Sequence, residues 1–316
     1  MNIRKKILID TDLGDDLDDA FSLVCAMCLD LDIVGITTVF RDTQNRARMA
    51  KKLLKDFGGY DHVPVYPGFS EFSSQPENKE NICLFGAELE DPAYAPDGVS
   101  PEDAVDFIIE SCRRWGKELT VIAIGPFCNI AKAIDKDPEA LAQAGKVCIM
   151  GGAYYKQYAD WNVMCDVPAA EVMFRHLPNL HCIGADVTHL LYPEKLFMEI
   201  LESGKLGYLS QLYGQWRQRE PDSPFLLHDV LAVYYALDPC ICAMEAIHVR
   251  LLTEGFAKGL TLNVESYSKA WLNKAYENAP PNPPIFAAKS VDLQHFHSLL
   301  INNMKCYMQK GNINHG

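Results

Sequence analysis

No stretch of this chain is long and apolar enough to cross a bilayer. The basic opening Met1-Asn2-Ile3-Arg4-Lys5-Lys6 is followed by an apolar run that stops at Asp10, too short for a signal peptide, so the expected location is cytoplasmic. Basic residues are scarce: 29 Lys and Arg stand against 42 Asp and Glu, a formal net charge of -13. That balance argues against binding to nucleic acid or an anionic membrane, both of which need basic patches. It suits a small neutral substrate or a cation.

Several chemical signatures are also missing. Cys25-x-x-Cys28 has no second pair at matching distance, which removes a zinc site and leaves buried free thiols. The eleven cysteines are an odd number, and reduced thiols agree with a cytoplasmic setting. Gly125-Pro126 is too short to be a phosphate loop, and there is no Gly-x-Ser-x-Gly nucleophile turn. Asp10-x-Asp12-x-Gly14 lacks the glycine and glutamate positions of an EF-hand. No Gly/Ser linker and no internal repeat divides the 316 residues, so one domain over 1–316 is expected.

What is present is an alternation of apolar strands and helices. Ile7–Ile9, Ile33–Phe40, Val63–Tyr66, Leu119–Ile124, Val147–Met150 and His181–Gly184 read as strands with few polar interruptions, separated by helical stretches. This predicts an α/β fold: a mostly parallel, Rossmann-like open sheet with helices on both faces. Small additional C-terminal strands are expected as a hairpin at Val249–Leu252 and Gly259–Val264, followed by a closing helix at Phe296–Tyr307. Leu196–Arg219 reads as helical, and residues 69–100, without a sustained period, as a loop or lid.

The densest chemistry follows the first strand. Asp10, Asp12, Asp15, Asp16, Asp18 and Asp19 lie within ten positions, and the run leads straight into the apolar helix from Ala20. Converging carboxylates repel one another and need a counter-charge, either a helix N-terminus or a bound hard cation. Helix capping and solvated turns are the alternative for any single aspartate. Asp42, Ile124-Gly125 and Asp160-Trp161-Asn162 fall at other strand or loop ends, and His228-Asp229 opens a helix. In a parallel sheet the strand-end clusters share one rim, where ligands bind. Tyr154, Tyr155, Tyr158 and Trp161 offer faces for stacking, or for ordinary packing.

At these residues the chain resembles the nucleoside hydrolase family, in its inosine/uridine-preferring form with a variant N-terminal motif. The resemblance rests on Asp10-Thr11-Asp12-x-Gly14 leading to Asp18-Asp19-Ala20, then Gly35-Ile36-Thr37-Thr38-Val39 and Ile124-Gly125-Pro126-x-x-Asn129. It continues in order through Met150-Gly151-Gly152-Ala153, Trp161-Asn162-Val163 with Asp166, Asp186-Val187-Thr188-His189 and His228-Asp229-x-Leu231-Ala232. It implies Ca²⁺-dependent hydrolysis of the N-glycosidic bond of ribonucleosides, in a homodimer or homotetramer. Asp12, Asp19, Asp229 and the carbonyl of Ile124 would hold the metal, and Asp12 would also activate its water. Asp10 would order that shell from behind. Asp18, Asn162, Asp160, Asp42 and Trp161 would meet the substrate, with Asp16 a rival to Asp18 for the ribose. His228 would protonate the departing base.

Two extra residues separate Gly14 from Asp18-Asp19, Arg41-Asp42 stands where Gly-Asn is usual, and Asp160 replaces a glutamate. Arg41 is expected close to the ribose. Two rivals stay open. One is a non-catalytic Ca²⁺-dependent nucleoside- or ribose-binding protein; the other is a haloacid dehalogenase-type phosphohydrolase, whose motif Gly14 interrupts.

Overall fold

The computed structural model describes residues 5–14, 16–70, 89–202, 206–264 and 282–313. Its centre is β1 (Lys6–Thr11), whose Ile7, Leu8 and Ile9 have no exposed surface. Side chains alternate along a strand, so Ile7 and Ile9 join one hydrophobic core and Leu8 the other. Full burial of each contributes about 1.5–3 kcal/mol relative to leaving it in water.

From β1 the chain runs through α1 (Asp18–Cys28), β2 (Asp32–Thr38), α2 (Thr43–Phe57) and β3 (Val65–Pro67). Next come α3 (Pro101–Trp115), β4 (Leu119–Ala123), α4 (Cys128–Lys136), α5 (Ala140–Gln143) and β5 (Lys146–Met150). The site-bearing segment holds α6 (Trp161–Cys165), α7 (Val167–His176), β6 (Leu180–Ile183) and α8 (Ala185–Thr188). Beyond it lie α9 (Glu194–Glu202), α10 (Gly207–Arg219), α11 (His228–Leu237), β7 (Cys242–Ile247), β8 (Val249–Leu251), β9 (Thr261–Asn263) and β10 (Ile285–Val291). A C-terminal helix, Leu293–Ile313, closes the chain.

Eight strands form one sheet in the order β3-β2-β1-β4-β5-β6-β10-β7, and every neighbouring pair is parallel except β10 and β7. The expected α/β architecture is present, with helices covering both faces. Strand order reverses between β1 and β4, and the crevice outside their C-terminal ends is where a parallel sheet accommodates a ligand. There Asp10 pairs with Thr37 on one side and Ala123 on the other.

The expected C-terminal hairpin is β8–β9. The stretch read as helical from Leu196 to Arg219 contains two helices, α9 and α10, with residues 203–205 outside the described residues. Most of the expected lid, residues 71–88, also lies outside them; the described part holds a short 3₁₀ turn at Pro92–Tyr94. Neither β7 nor β10 was expected. Among the described residues no helix is long and apolar enough to cross a membrane.

Candidate active site and metal centre

A cavity of about 370 Å³ opens at the β1/β4 crevice. The turn after β1 and the start of α1 bring Asp12, Asp16, Asp18 and Asp19 to it. Ile124 and Met150 arrive from the ends of β4 and β5, Asp160, Trp161 and Asn162 from the start of α6, and His228 and Asp229 from the first turn of α11. The helices supply more than position. Both α1 and α11 point their N-termini at the cavity, so their partial positive charge lies against the carboxylates.

Oxygens of Asp18, Asp19 and Asp229 lie within 4.8 Å of one another, and all three residues are buried. Burial pushes the Asp18 carboxyl up to about 6. It pushes Asp19 and Asp229 well above the usual carboxylate range, and neighbouring carboxylates, Asp12 among them, push the same way. Asp18 is the first of the carboxylates that push Asp229 up. Three buried, mutually repelling carboxylates with only oxygen donors fit a hard divalent cation such as Ca²⁺. They offer none of the nitrogen or sulfur that zinc prefers.

The converging group differs from the one expected. Asp18 stands in it, while Asp12 lines the same cavity and acts on Asp19 and Asp229 through its charge. The Ile124 carbonyl is present at the cavity and accepts a hydrogen bond from Asn162 Nδ2 at 2.8 Å, leaving a second lone pair. Asn162 Nδ2 also donates to the Met150 carbonyl at 3.1 Å, so this amide ties the ends of β4 and β5 together.

Asp10 lies behind this shell, fully buried. Its Oδ1 accepts from Thr37 Oγ1 at 2.6 Å and Asn129 Nδ2 at 2.7 Å, while Oδ2 is buried without a hydrogen-bond partner among the described residues. Burial pushes its carboxyl up to about 7. Thr11 Oγ1 donates to Asp19 and accepts from the Leu13 amide, which fixes the acid on the first turn of α1. Gly125 leaves room for Asp12: a Cβ there would sit 2.8 Å from the Asp12 amide nitrogen and 2.9 Å from its Oδ1.

Other expectations resolve individually. Asp160 lines the cavity, but its Oδ1 caps α6 by accepting from the Val163 amide at 3.1 Å. Trp161 is 46% exposed at the cavity, and Tyr158 also lines it. Tyr154 is instead a core residue, and its hydroxyl donates to the Gly151 carbonyl. Tyr155 is not a lining residue; its hydroxyl donates to Glu245. Asp42 does not line the cavity either; its carboxylate caps α2 by accepting from the Asn45 amide. Arg41 is buried outside the cavity with its guanidinium over the Phe40 ring. Phe40 and Arg41 both hold positive φ, 69° and 58°, a locally strained backbone. Asp16 reaches the cavity, and its charge acts on His228; Asp15 lies outside the described residues.

His228 is held neutral. Burial and the neighbouring His189 push its pKa down to about 4, with Asp16 opposing. Its Nδ1 lies 2.6 Å from Thr188 Oγ1. Four residues here were given no role by the sequence: Arg46, Asn129, Thr188 and His189. The last three stood in recognised motifs. Arg46 had a subtler signal, its place three, four and seven residues before Met49, Ala50 and Leu53 on the apolar face of α2.

The model of the "Inosine-uridine preferring nucleoside hydrolase" family matches residues 7–298. Uridine nucleosidase 1 of Arabidopsis thaliana is 29% identical over 290 residues, covering 85% of this chain and 84% of that protein. The inosine-uridine preferring nucleoside hydrolase of Leishmania major is 26% identical over 275 residues, covering 82% and 87%. The solved structure of a purine-preferring ribonucleoside hydrolase from Gardnerella vaginalis is similar with a TM-score of 0.77 and 26% identity, over 96% of this chain and 99% of that one. With the match running from β1 past the last strand of the sheet, and so across every residue of the cavity, the chain belongs to the inosine-uridine preferring nucleoside hydrolase family.

Proposed function

We propose that this ribonucleoside hydrolase cleaves the N-glycosidic bond to free base and ribose in a Ca²⁺-dependent reaction, with Asp12 as the base that accepts a proton from the attacking water. The observation that carries this reading is the buried convergence of Asp18, Asp19 and Asp229 on a cavity that also holds Asp12 and His228. Asp19, Asp229 and the Ile124 carbonyl would hold the cation, with Asp12 and Asp18 beside them. When bound, it offsets the carboxylate charge and lowers the pKa of water in the cavity.

The chain's own residues account for the rest. Asp12, fixed against Gly125, takes the proton. Asp18 and Asn162 line the space for the ribose hydroxyls, and Asp10 braces the strand end through Asn129 and Thr37. As the bond breaks, C1′ gains oxocarbenium character, which the surrounding carboxylates stabilise. His228 starts neutral, so it meets the departing base as a hydrogen-bond donor and not as a preformed imidazolium.

The relatives' names include uridine, inosine-uridine and purine substrates, so the test needs both base classes. Free ribose is measured for a panel of purine and pyrimidine ribonucleosides, with Ca²⁺ and with a chelator. We expect release that chelation abolishes, and that Asp12→Asn lowers about a thousandfold without loss of fold. Nucleoside binding without ribose release would overturn the reading.

A further inference from the structure

The Asp186-Val187-Thr188-His189 stretch has no part in the hydrolytic step, yet its polar side chains line the cavity or hold residues near it. Asp186 Oδ2 accepts from the Tyr154 and Tyr155 amides at 3.0 and 2.6 Å, which anchors the loop leading to Tyr158 and Asp160. Thr188 Oγ1 meets His228 Nδ1. His189 itself lines the cavity.

The chemistry of the His189 ring is fixed by its own backbone. Nδ1 lies 2.7 Å from the Ala185 carbonyl, four residues back. A carbonyl only accepts, so Nδ1 carries the proton and, in the neutral ring, Nε2 carries none. His189 is an exposed residue, and among the described residues its Nε2 makes no hydrogen bond. The ring is also held in place. It stands edge-on to His228 with centroids 4.9 Å apart at 83°, and edge-on to Tyr158 at 6.1 Å and 83°. A base that touches His228 therefore comes within reach of a fixed nitrogen that, in the neutral ring, accepts a hydrogen bond.

We propose that His189 is a specificity-determining residue that reads the leaving base: its Nε2 accepts a hydrogen bond from a ring N–H of that base. This rests on the hydrolase reading above. The site then favours bases of lactam or imide type, whose ring nitrogen carries a proton beside a carbonyl. It disfavours bases of amidine type, where the same ring nitrogen is itself an acceptor and two lone pairs face each other. A polar mismatch of this kind discriminates more strongly than a difference in apolar contact.

The test measures kcat/KM for uridine against cytidine and for inosine against adenosine, in the unaltered protein, His189→Phe and His189→Gln. We expect the lactam member of each pair that is turned over to be favoured by at least about tenfold in the unaltered protein. His189→Phe keeps an aromatic edge but removes the acceptor, and should bring the ratio to within about threefold. His189→Gln retains an acceptor oxygen and should preserve most of the preference. Equal turnover of both members by the unaltered protein, or an unchanged ratio in His189→Phe, overturns the role of His189 and leaves the hydrolase reading standing. Absence of ribose release from every nucleoside overturns both.

Discussion

Arg46 has no exposed surface, and its guanidinium is bonded to three backbone carbonyls. Nε donates to Phe40 O at 2.7 Å, while Nη1 donates to Leu13 O at 2.9 Å and to Asp12 O. One side chain therefore fixes the turn after β1 against the strained residue after β2. Its charge also acts on Asp19, in the direction that favours the carboxylate. Arg46→Met should cost about 3–5 kcal/mol, because it leaves buried carbonyls without donors, and should be read as a lower urea midpoint at unchanged slope. Arg46→Lys should recover little, since an ammonium cannot reproduce the planar fork. The sequence displayed the aspartates that need a counter-charge but not the residue that supplies it. Asp12, Asp18, Asp19, Asp229 and His228 were legible because the carboxylate run and the His-Asp pair stand out locally. Asp42 caps α2, and a capping carboxylate and a ligand-binding carboxylate look alike in one dimension.

At the scale of elements, the site depends on how closely the end of β4 approaches the turn after β1. Gly125→Ala would place a methyl 2.8 Å from the Asp12 amide and from Val39 Cγ1. Backbone cannot yield there without moving Asp12. We expect kcat to fall by two orders of magnitude or so, with weaker Ca²⁺ affinity by calorimetry and an unchanged far-UV spectrum. The parallel strands and their covering helices were readable because β-branched runs alternate with helical periods. β7 and β10 were not. Their sequences, Cys-Ala-Met-Glu-Ala-Ile and Ile-Phe-Ala-Ala-Lys-Ser-Val, carry little β-branching and no clean alternation. They are strands because β6 and β10 offer edges to pair with, which is tertiary information. α6 gives no signal in the sequence for a related reason: five residues are too few to show a helical period.

For the whole molecule, the buried acids couple stability to pH and to metal. Asp10 and Asp18 have folded pKa values raised to about 7 and about 6 from 3.8, and Asp19 and Asp229 are raised as well. A raised carboxyl favours the folded state fully below its unfolded pKa, and that contribution is lost as pH rises through the folded value. His228 works in the opposite sense: its contribution is present above about 6.5 and lost as pH falls toward 4. His181 is lowered to about 4 in the same way, but Asp160 and Asp186 are raised too, and the acids outweigh the two histidines. In a chelator, the melting temperature should therefore fall by several degrees between pH 5 and pH 8, and Ca²⁺ should restore it mainly at the upper end, releasing protons as it binds. A melting temperature in chelator that rises steadily over that interval would contradict the assignment.

The converging oxygens of Asp18 and Asp229 come from opposite parts of the chain, roughly two hundred positions apart. During synthesis the acidic turn leaves the ribosome long before α11 exists. Until then the acids remain hydrated and β1 has no reason to withdraw them from water. The last third of the polypeptide is therefore what commits Asp18 and Asp19 to the interior. A nascent chain stopped before α11 would carry the recognisable N-terminal motif without the carboxylate group that converges on the cavity.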